Sequence, residues 1–140
     1  MDRESLDEVF AGTTFDRSLV TLFIWEGVNQ YLTAEAVAQT LAFIGTCAQG
    51  SQVVFTYVLK AVVERKTGDP EMERMMDQVA KTNPWTFGLD PAEVPAFLAP
   101  LGLRLPADAG KSDYKALYLA PIGRALDLSE MERICVALVE

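Results

Sequence analysis

Apolar positions along the chain fall into two patterns, unbroken runs and helically spaced stripes, and their order predicts the architecture. In "ESLDEVFAG", Leu6, Val9 and Phe10 stand at helical spacing behind acidic residues, with Gly12 as a stop, which predicts a short amphipathic helix. "SLVTLFIW" is a continuous run with β-branched and aromatic members, the pattern of a strand covered on both faces. "TAEAVAQTLAFIGTCAQ" then opens on Thr33 as an N-cap, with Glu35 in the first turn and Val37, Leu41 and Ile44 on one stripe. A Gly-containing turn leads into a second apolar strand from Val53 to Leu59. Strand, helix and strand joined by short links make a βαβ unit with parallel neighbours, so the class is α/β.

The pattern changes after Leu59. Residues 61–88 are charged and Met-rich, with Pro70 near the start of a helix over about Glu71 to Lys81. Met72, Met75 and Met76 share one face of that helix, which suits ordinary packing or a lid over a ligand site. Asp90 caps a further helix with Pro91 at its first position and Pro95 tolerated near its start, and Gly102 turns the chain into a strand from Leu103. A polar stretch, "SDYKALYLAPIGRALDLS", connects it irregularly to a final strand in "EMERICVALVE". The last two strands are expected to run antiparallel, in one sheet with the first two.

Composition narrows what such a sheet does. With 140 residues, half of them hydrophobic, the chain supports one core, and residues 1–140 are read as one domain. A net charge of −8 argues against nucleic acid or an anionic membrane as partner. The apolar runs are far shorter than the roughly 20 residues of a membrane-spanning helix. The acidic start, "MDRESLDEVF", is no secretory signal, so a soluble, cytoplasmic protein is expected. Cys47 and Cys135 stand among apolar neighbours without metal-like spacing and read as buried thiols. The chain has no histidine, which removes imidazole-based nucleophilic machinery and most zinc chemistry, and no metal site is expected.

Candidate chemistry gathers where the first strand ends. Ligands of open α/β sheets bind beyond the carboxyl ends of the strands. Glu26 and Gly27 occupy that end: the carboxylate accepts hydrogen bonds from an ammonium or from ribose hydroxyls, and the glycine leaves the backbone open to a ligand. Tyr31, just ahead of the Thr33 cap, is placed to project toward the same mouth. A solvated Glu26 and a packing Tyr31 account for these residues equally well. Tyr57 and Lys60, at the end of the second strand, face the same rim if the strands are parallel, with ordinary packing as the stronger reading.

The strings "FIWEGVNQYLTAEAV", "GSQVVFTYV", "PWTFGLDPAEVPAFLAPLGLRL", "LYLAPIGRAL" and "ERICVALVE" resemble, in this order, the later half of the leucine carboxyl methyltransferase family. That family includes bacterial S-adenosylmethionine-dependent O-methyltransferases of the tetracenomycin polyketide type. The resemblance implies the C-terminal half of a Rossmann-like class I methyltransferase sheet, with strands four and five followed by an antiparallel edge pair and the first three strands lacking. It further implies S-adenosyl-L-methionine as cofactor, with Glu26 and Gly27 on its methionine portion and Tyr31 toward the acceptor as the catalytic position. Methyl transfer would go to a carboxylate or hydroxyl of a small molecule, under a helical lid-like insert at about 61–88. A sulfonium-bound methyl is already activated, so transfer needs alignment more than an acid–base relay, in keeping with a chain without histidine.

The sequence departs from the family in its first half. The family's glycine-rich turn after the first strand is missing, and the acidic residue of its adenine side falls just before Met1, with Asp2 a near neighbour to which that role is not carried. Removing the first three strands bares one edge of the "LVTLFIW" strand, a template for association. The expected partners are therefore the methyl acceptor together with either a second copy or a separate N-terminal half. The alternative function is a non-catalytic remnant or interaction module associating through that edge, and the isolated chain is expected to be inactive.

Overall fold

The run that starts at Ser18 becomes a strand only over its second half. In the computed structural model, which describes residues 5–140, β1 is Leu22–Trp25. Asp16 claims the earlier residues: its carboxylate accepts from the Ser18 backbone N–H at 2.8 Å and the Ser18 hydroxyl at 2.7 Å, folding 16–19 into a turn. Ahead of it, α1 (Leu6–Ala11) is closed by the reciprocal Ser5–Glu8 capping box. Asp2 lies outside the described residues.

Helix α2 (Ala34–Gly45) starts where Thr33 accepts from the Ala36 N–H at 3.2 Å, and it delivers the chain to β2 (Gln52–Val58). β1 and β2 are parallel, with Phe23 opposite Val53 and Trp25 opposite Phe55, so the βαβ unit forms as its hydrophobic pattern predicts. Two helices follow β2: α3 (Lys60–Val63), and α4 (Pro70–Thr82) with Asp69 as its cap. α5 (Val94–Leu98) begins later than Pro91, the expected start. Pro95 has no N–H to give to a carbonyl four residues back, so residues 91–93 form a turn tied by Asp90, whose carboxylate accepts from the Ala92 N–H at 2.9 Å.

β3 (Leu103–Ala109) and β4 (Glu132–Val139) complete one sheet in the order β1-β2-β4-β3, in which β4 runs antiparallel to both neighbours. The last strand in sequence is thus interior and β3 is the edge. Pro106 sits at the irregularity between Arg104 and Ala107, where an edge strand tolerates a missing donor. The connection read as irregular is helical: α6 (Lys111–Tyr114) continues into further helical turns through Ile122.

One face of the sheet carries the main core. Val37, Leu41 and Ile44 of α2 and Val94 and Leu98 of α5 are buried against Val53, Phe55, Leu103, Cys135 and Ala137. Burying each such side chain contributes on the order of 1.5–3 kcal/mol. Cys47 and Cys135 are free and buried, and burial pushes the Cys135 thiol up to about 12, the behaviour of packing thiols. A second cluster of Val58, Val62 and Met76 holds α3 and α4 against the carboxyl end of β2. Among the described residues no helix is long and apolar enough to cross a membrane.

Candidate functional site

At the carboxyl end of β1 the chain turns through Gly27 with φ +68°, a left-handed conformation that glycine adopts without cost. A Cβ placed on Gly27 would meet no atom within 4 Å, so conformation and not crowding requires glycine here, and the space beside its backbone is open. The Gly27 N–H donates to Thr56 Oγ1 at 2.9 Å, and its carbonyl accepts from Gln30 Nε2 at 3.1 Å. These bonds pin the turn to β2 and to the single 3-10 turn Asn29–Tyr31 that follows.

Asn29 and Gln30 are buried amides that sequence reasoning did not single out. Asn29 Nδ2 donates to the Thr56 carbonyl, whereas Asn29 Oδ1 and Gln30 Oε1 are buried without a hydrogen-bond partner. Unpaired buried acceptors cost about 1–3 kcal/mol each, so they are groups to be explained. No local spacing in the sequence announces them, because their burial follows from the packing of the 3-10 turn against β2.

Glu26 is exposed and makes no hydrogen bond or ion pair among the described residues, so its carboxylate is available at the mouth. Tyr31 is 42% exposed and stands edge-on to Trp85, with ring centroids 6.5 Å apart. The segment after α4 is strapped onto this turn. Thr86 N–H donates to the Gln30 carbonyl at 2.7 Å, and Thr86 Oγ1 donates to the Leu32 carbonyl at 2.7 Å. The strap holds Trp85 against Tyr31, and Trp85 Nε1 is also buried and unpartnered. Glu26 and Gly27 thus follow directly on β1, and Tyr31 ends the 3-10 turn after them.

Tyr57 and Lys60 do not join them. Tyr57 is fully buried and its hydroxyl donates to Asp108 Oδ2 at 2.7 Å, while Arg133 Nε donates to Asp108 Oδ1 at 2.8 Å. Burial first, and then the neighbouring Asp108, raise the Tyr57 pKa far above the phenol range, so this hydroxyl serves packing. Lys60 lies on the surface, 3.2 Å from Glu93. Of the three methionines, Met76 belongs to the core, whereas Met72 and Met75 line a groove of about 730 Å³ between α4 and residues 127–131. Lys111 in that groove is held by Asp127 at 3.3 Å and Glu130 at 3.4 Å.

The exposed carboxylate of Glu26 at the end of β1 suits a positively charged, hydrogen-donating group. That chemistry fits the methionine ammonium and sulfonium of S-adenosylmethionine. The described residues supply this acidic wall but no glycine-rich turn to oppose it.

Comparisons with known proteins bear on the family resemblance and on the fold. The family model of leucine carboxyl methyltransferase matches residues 1–45, a stretch that contains β1, Glu26, Gly27 and Tyr31. No curated protein matches the chain. Among solved structures, a DUF574 family protein from Streptomyces avermitilis is 14% identical with a TM-score of 0.66, over 100% of this chain and 54% of that one. A putative methyltransferase from Thermobifida fusca is 16% identical with a TM-score of 0.61, over 99% of this chain and 52% of that one. Magnesium protoporphyrin IX methyltransferase from Synechocystis, solved with bound SAH, is 11% identical with a TM-score of 0.50, over 91% of this chain and 48% of that one. The chain thus spans about half the length, or less, of the solved structures it matches. It resembles the leucine carboxyl methyltransferase family over residues 1–45 and has, over its whole described length, the mixed α/β fold of methyltransferases.

Proposed function

We propose that these 140 residues are part of an S-adenosylmethionine-dependent methyltransferase acting in the cytoplasm on a carboxylate or hydroxyl of a small molecule. The observation that carries this reading is the end of β1, where the exposed Glu26, without a hydrogen bond or ion pair among the described residues, leads into a glycine turn locked to β2. Glu26 accepts hydrogen bonds from the methionine ammonium, and Gly27 leaves the backbone beside it accessible. Asn29 and Gln30 tie the turn to the Thr56 and Gly27 carbonyls. The cofactor, when bound, supplies an already activated sulfonium methyl group. Tyr31 then borders the acceptor, its ring braced by Trp85, and orients the incoming oxygen. The end of the insert at 61–88 borders the acceptor through Trp85, held on the 3-10 turn by Thr86.

Ultraviolet cross-linking with radiolabelled S-adenosylmethionine, followed by peptide mapping, tests the assignment even for weak binding. The label is expected on the peptide containing Glu26 to Tyr31 and is expected to be suppressed by excess S-adenosylhomocysteine. Label that is unsuppressed, or confined to other peptides, would rule the site out. The second reading, a non-catalytic interaction module, is favoured by one observation, the outer edge of β1, which pairs with no strand among the described residues.

A further inference from the structure

Lys111, Lys115 and Arg133 lie apart in the sequence, and the fold gathers them at the carboxyl end of β2 and β3. The ladder sets up this meeting. Tyr57 stands opposite Arg133 in the antiparallel pair of β2 and β4, so the two side chains leave the sheet on one face. Asp108, opposite Cys135, is the diagonal neighbour of Arg133 on that face. It serves both: Oδ2 accepts from the Tyr57 hydroxyl at 2.7 Å and Oδ1 from Arg133 Nε at 2.8 Å, which fixes the guanidinium by its Nε side. One step past the ladder pair of Ala109 with Ile134, Gly110 comes opposite Arg133. A Cβ on Gly110 would overlap Arg133 Nη1, so the guanidinium occupies the room that any other residue would need there.

Stability does not account for this arrangement, because apolar side chains of similar volume pack as well as a buried ion pair or better. What the triad adds is a guanidinium held at a fixed angle with its far end unused. Nη1 makes no hydrogen bond among the described residues, and Nη2 reaches only the Asp108 carbonyl, at 3.5 Å. Arg133 lines a hollow of about 390 Å³, together with Leu59, Lys111, Ser112 and Lys115. Lys115 has no ion pair among the described residues. Glu130, the carboxylate that lines the hollow, is 3.4 Å from Lys111, and Asp113 is turned back onto the Gly110 N–H at 2.8 Å. Neither is paired with Lys115 or with the free end of Arg133, so donors outnumber acceptors here in a chain whose net charge is −8.

We infer that this hollow binds an oxyanion, the carboxylate or phosphate group of a small molecule, with Arg133 gripping it end-on through Nη1 and Nη2 and Lys115 adding a second positive charge. Asp108 and Tyr57 are positioning residues, since they aim the guanidinium without meeting the anion. Because β1 and β2 are parallel, the hollow lies at the same end of the sheet as Glu26, but it shares no residue with that site. Oxyanion binding does not depend on the cofactor reading, and the two fail separately.

NMR of the 140-residue chain tests it, following the Arg133 Nε–H signal and the amides of 110–115 while inorganic phosphate or, separately, benzoate replaces chloride at constant ionic strength. A saturating shift at these positions is expected with at least one of the two anions, and the tighter of them names the group. Gly110→Ala, which displaces the guanidinium without removing its charge, should weaken that binding about 10-fold or more. Lys115→Gln changes an exposed side chain, so it leaves the fold intact even if Gly110→Ala does not, and should weaken binding about 3-fold. Absence of saturation with both anions, or an unchanged affinity in either folded variant, would overturn the inference.

Discussion

Replacing Asp108 by alanine is expected to destabilise the fold by about 3 kcal/mol, read as a lower urea midpoint at unchanged slope. Asp108 sits between a fully buried phenol and an arginine whose side chain is only 23% exposed, and it accepts from both. Its removal leaves the Arg133 charge unpaired and the Tyr57 hydroxyl without an acceptor, and an orphaned buried charge costs more than the pair contributes. The partial exposure of Arg133 puts the loss at the lower end of the range for a broken buried ion pair. The same reasoning predicts recovery. The triple variant Asp108→Leu, Arg133→Met, Tyr57→Phe should regain most of the loss, because it removes the unmet polar groups together with their partners. A single variant within about 0.5 kcal/mol of the parent would show that water reaches Arg133 freely.

The second large effect lies at the far end of α2. A Cβ on Gly45 would stand 1.9 Å from the Leu101 carbonyl oxygen and 3.0 Å from its carbon, both backbone atoms that cannot swing aside. Gly102, at φ +78°, turns the chain directly over that contact. Gly45→Ala must therefore push α2 away from the 99–102 turn, and a loss of about 3 kcal/mol is expected, at the top of the overpacking range. Gly12→Ala is the control: its Cβ meets nothing within 4 Å and its φ of −96° suits any residue, so it should change stability by less than about 0.5 kcal/mol. Equal effects at the two glycines would mean that α2 slides without cost.

Much of this fold was legible because the hydrophobic period and the end signals agreed. Thr33, the Val37–Leu41–Ile44 stripe and the run of β2 pointed to one strand-helix-strand unit, and that unit forms. The antiparallel final pair was also expected. What escaped were features set by tertiary contact. The helical turns at 111–122 expose Leu117, Tyr118 and Ile122, so they follow no amphipathic period. The late start of α5 reflects the missing donor of Pro95. Within the candidate site, Glu26, Gly27 and Tyr31 were singled out from their place after a strand. Asn29, Gln30 and Thr56 were not, because their importance lies in bonds between β2 and the 3-10 turn that no local spacing announces. For Tyr57 packing was the stronger reading from the start, and strand alternation sends it into the core.

The pairing of an available carboxylate with an incomplete mouth has a thermodynamic consequence. With one acidic wall and no glycine-rich turn, the 140-residue chain is expected to hold S-adenosylmethionine well above the low-micromolar range. A completed mouth would bind more tightly without any change in Glu26, since the missing contacts and their preorganisation would add to those already present.

Amide NMR during titration with S-adenosylhomocysteine tests the central claim most directly. Shifts concentrated on Glu26 to Tyr31 and Thr56 are predicted, with affinity reduced about 10-fold or more in Glu26→Gln, the effect of removing one charge-assisted hydrogen bond. Shifts centred elsewhere, or a Glu26→Gln variant that binds as the parent does, would contradict the assignment of this mouth to the cofactor.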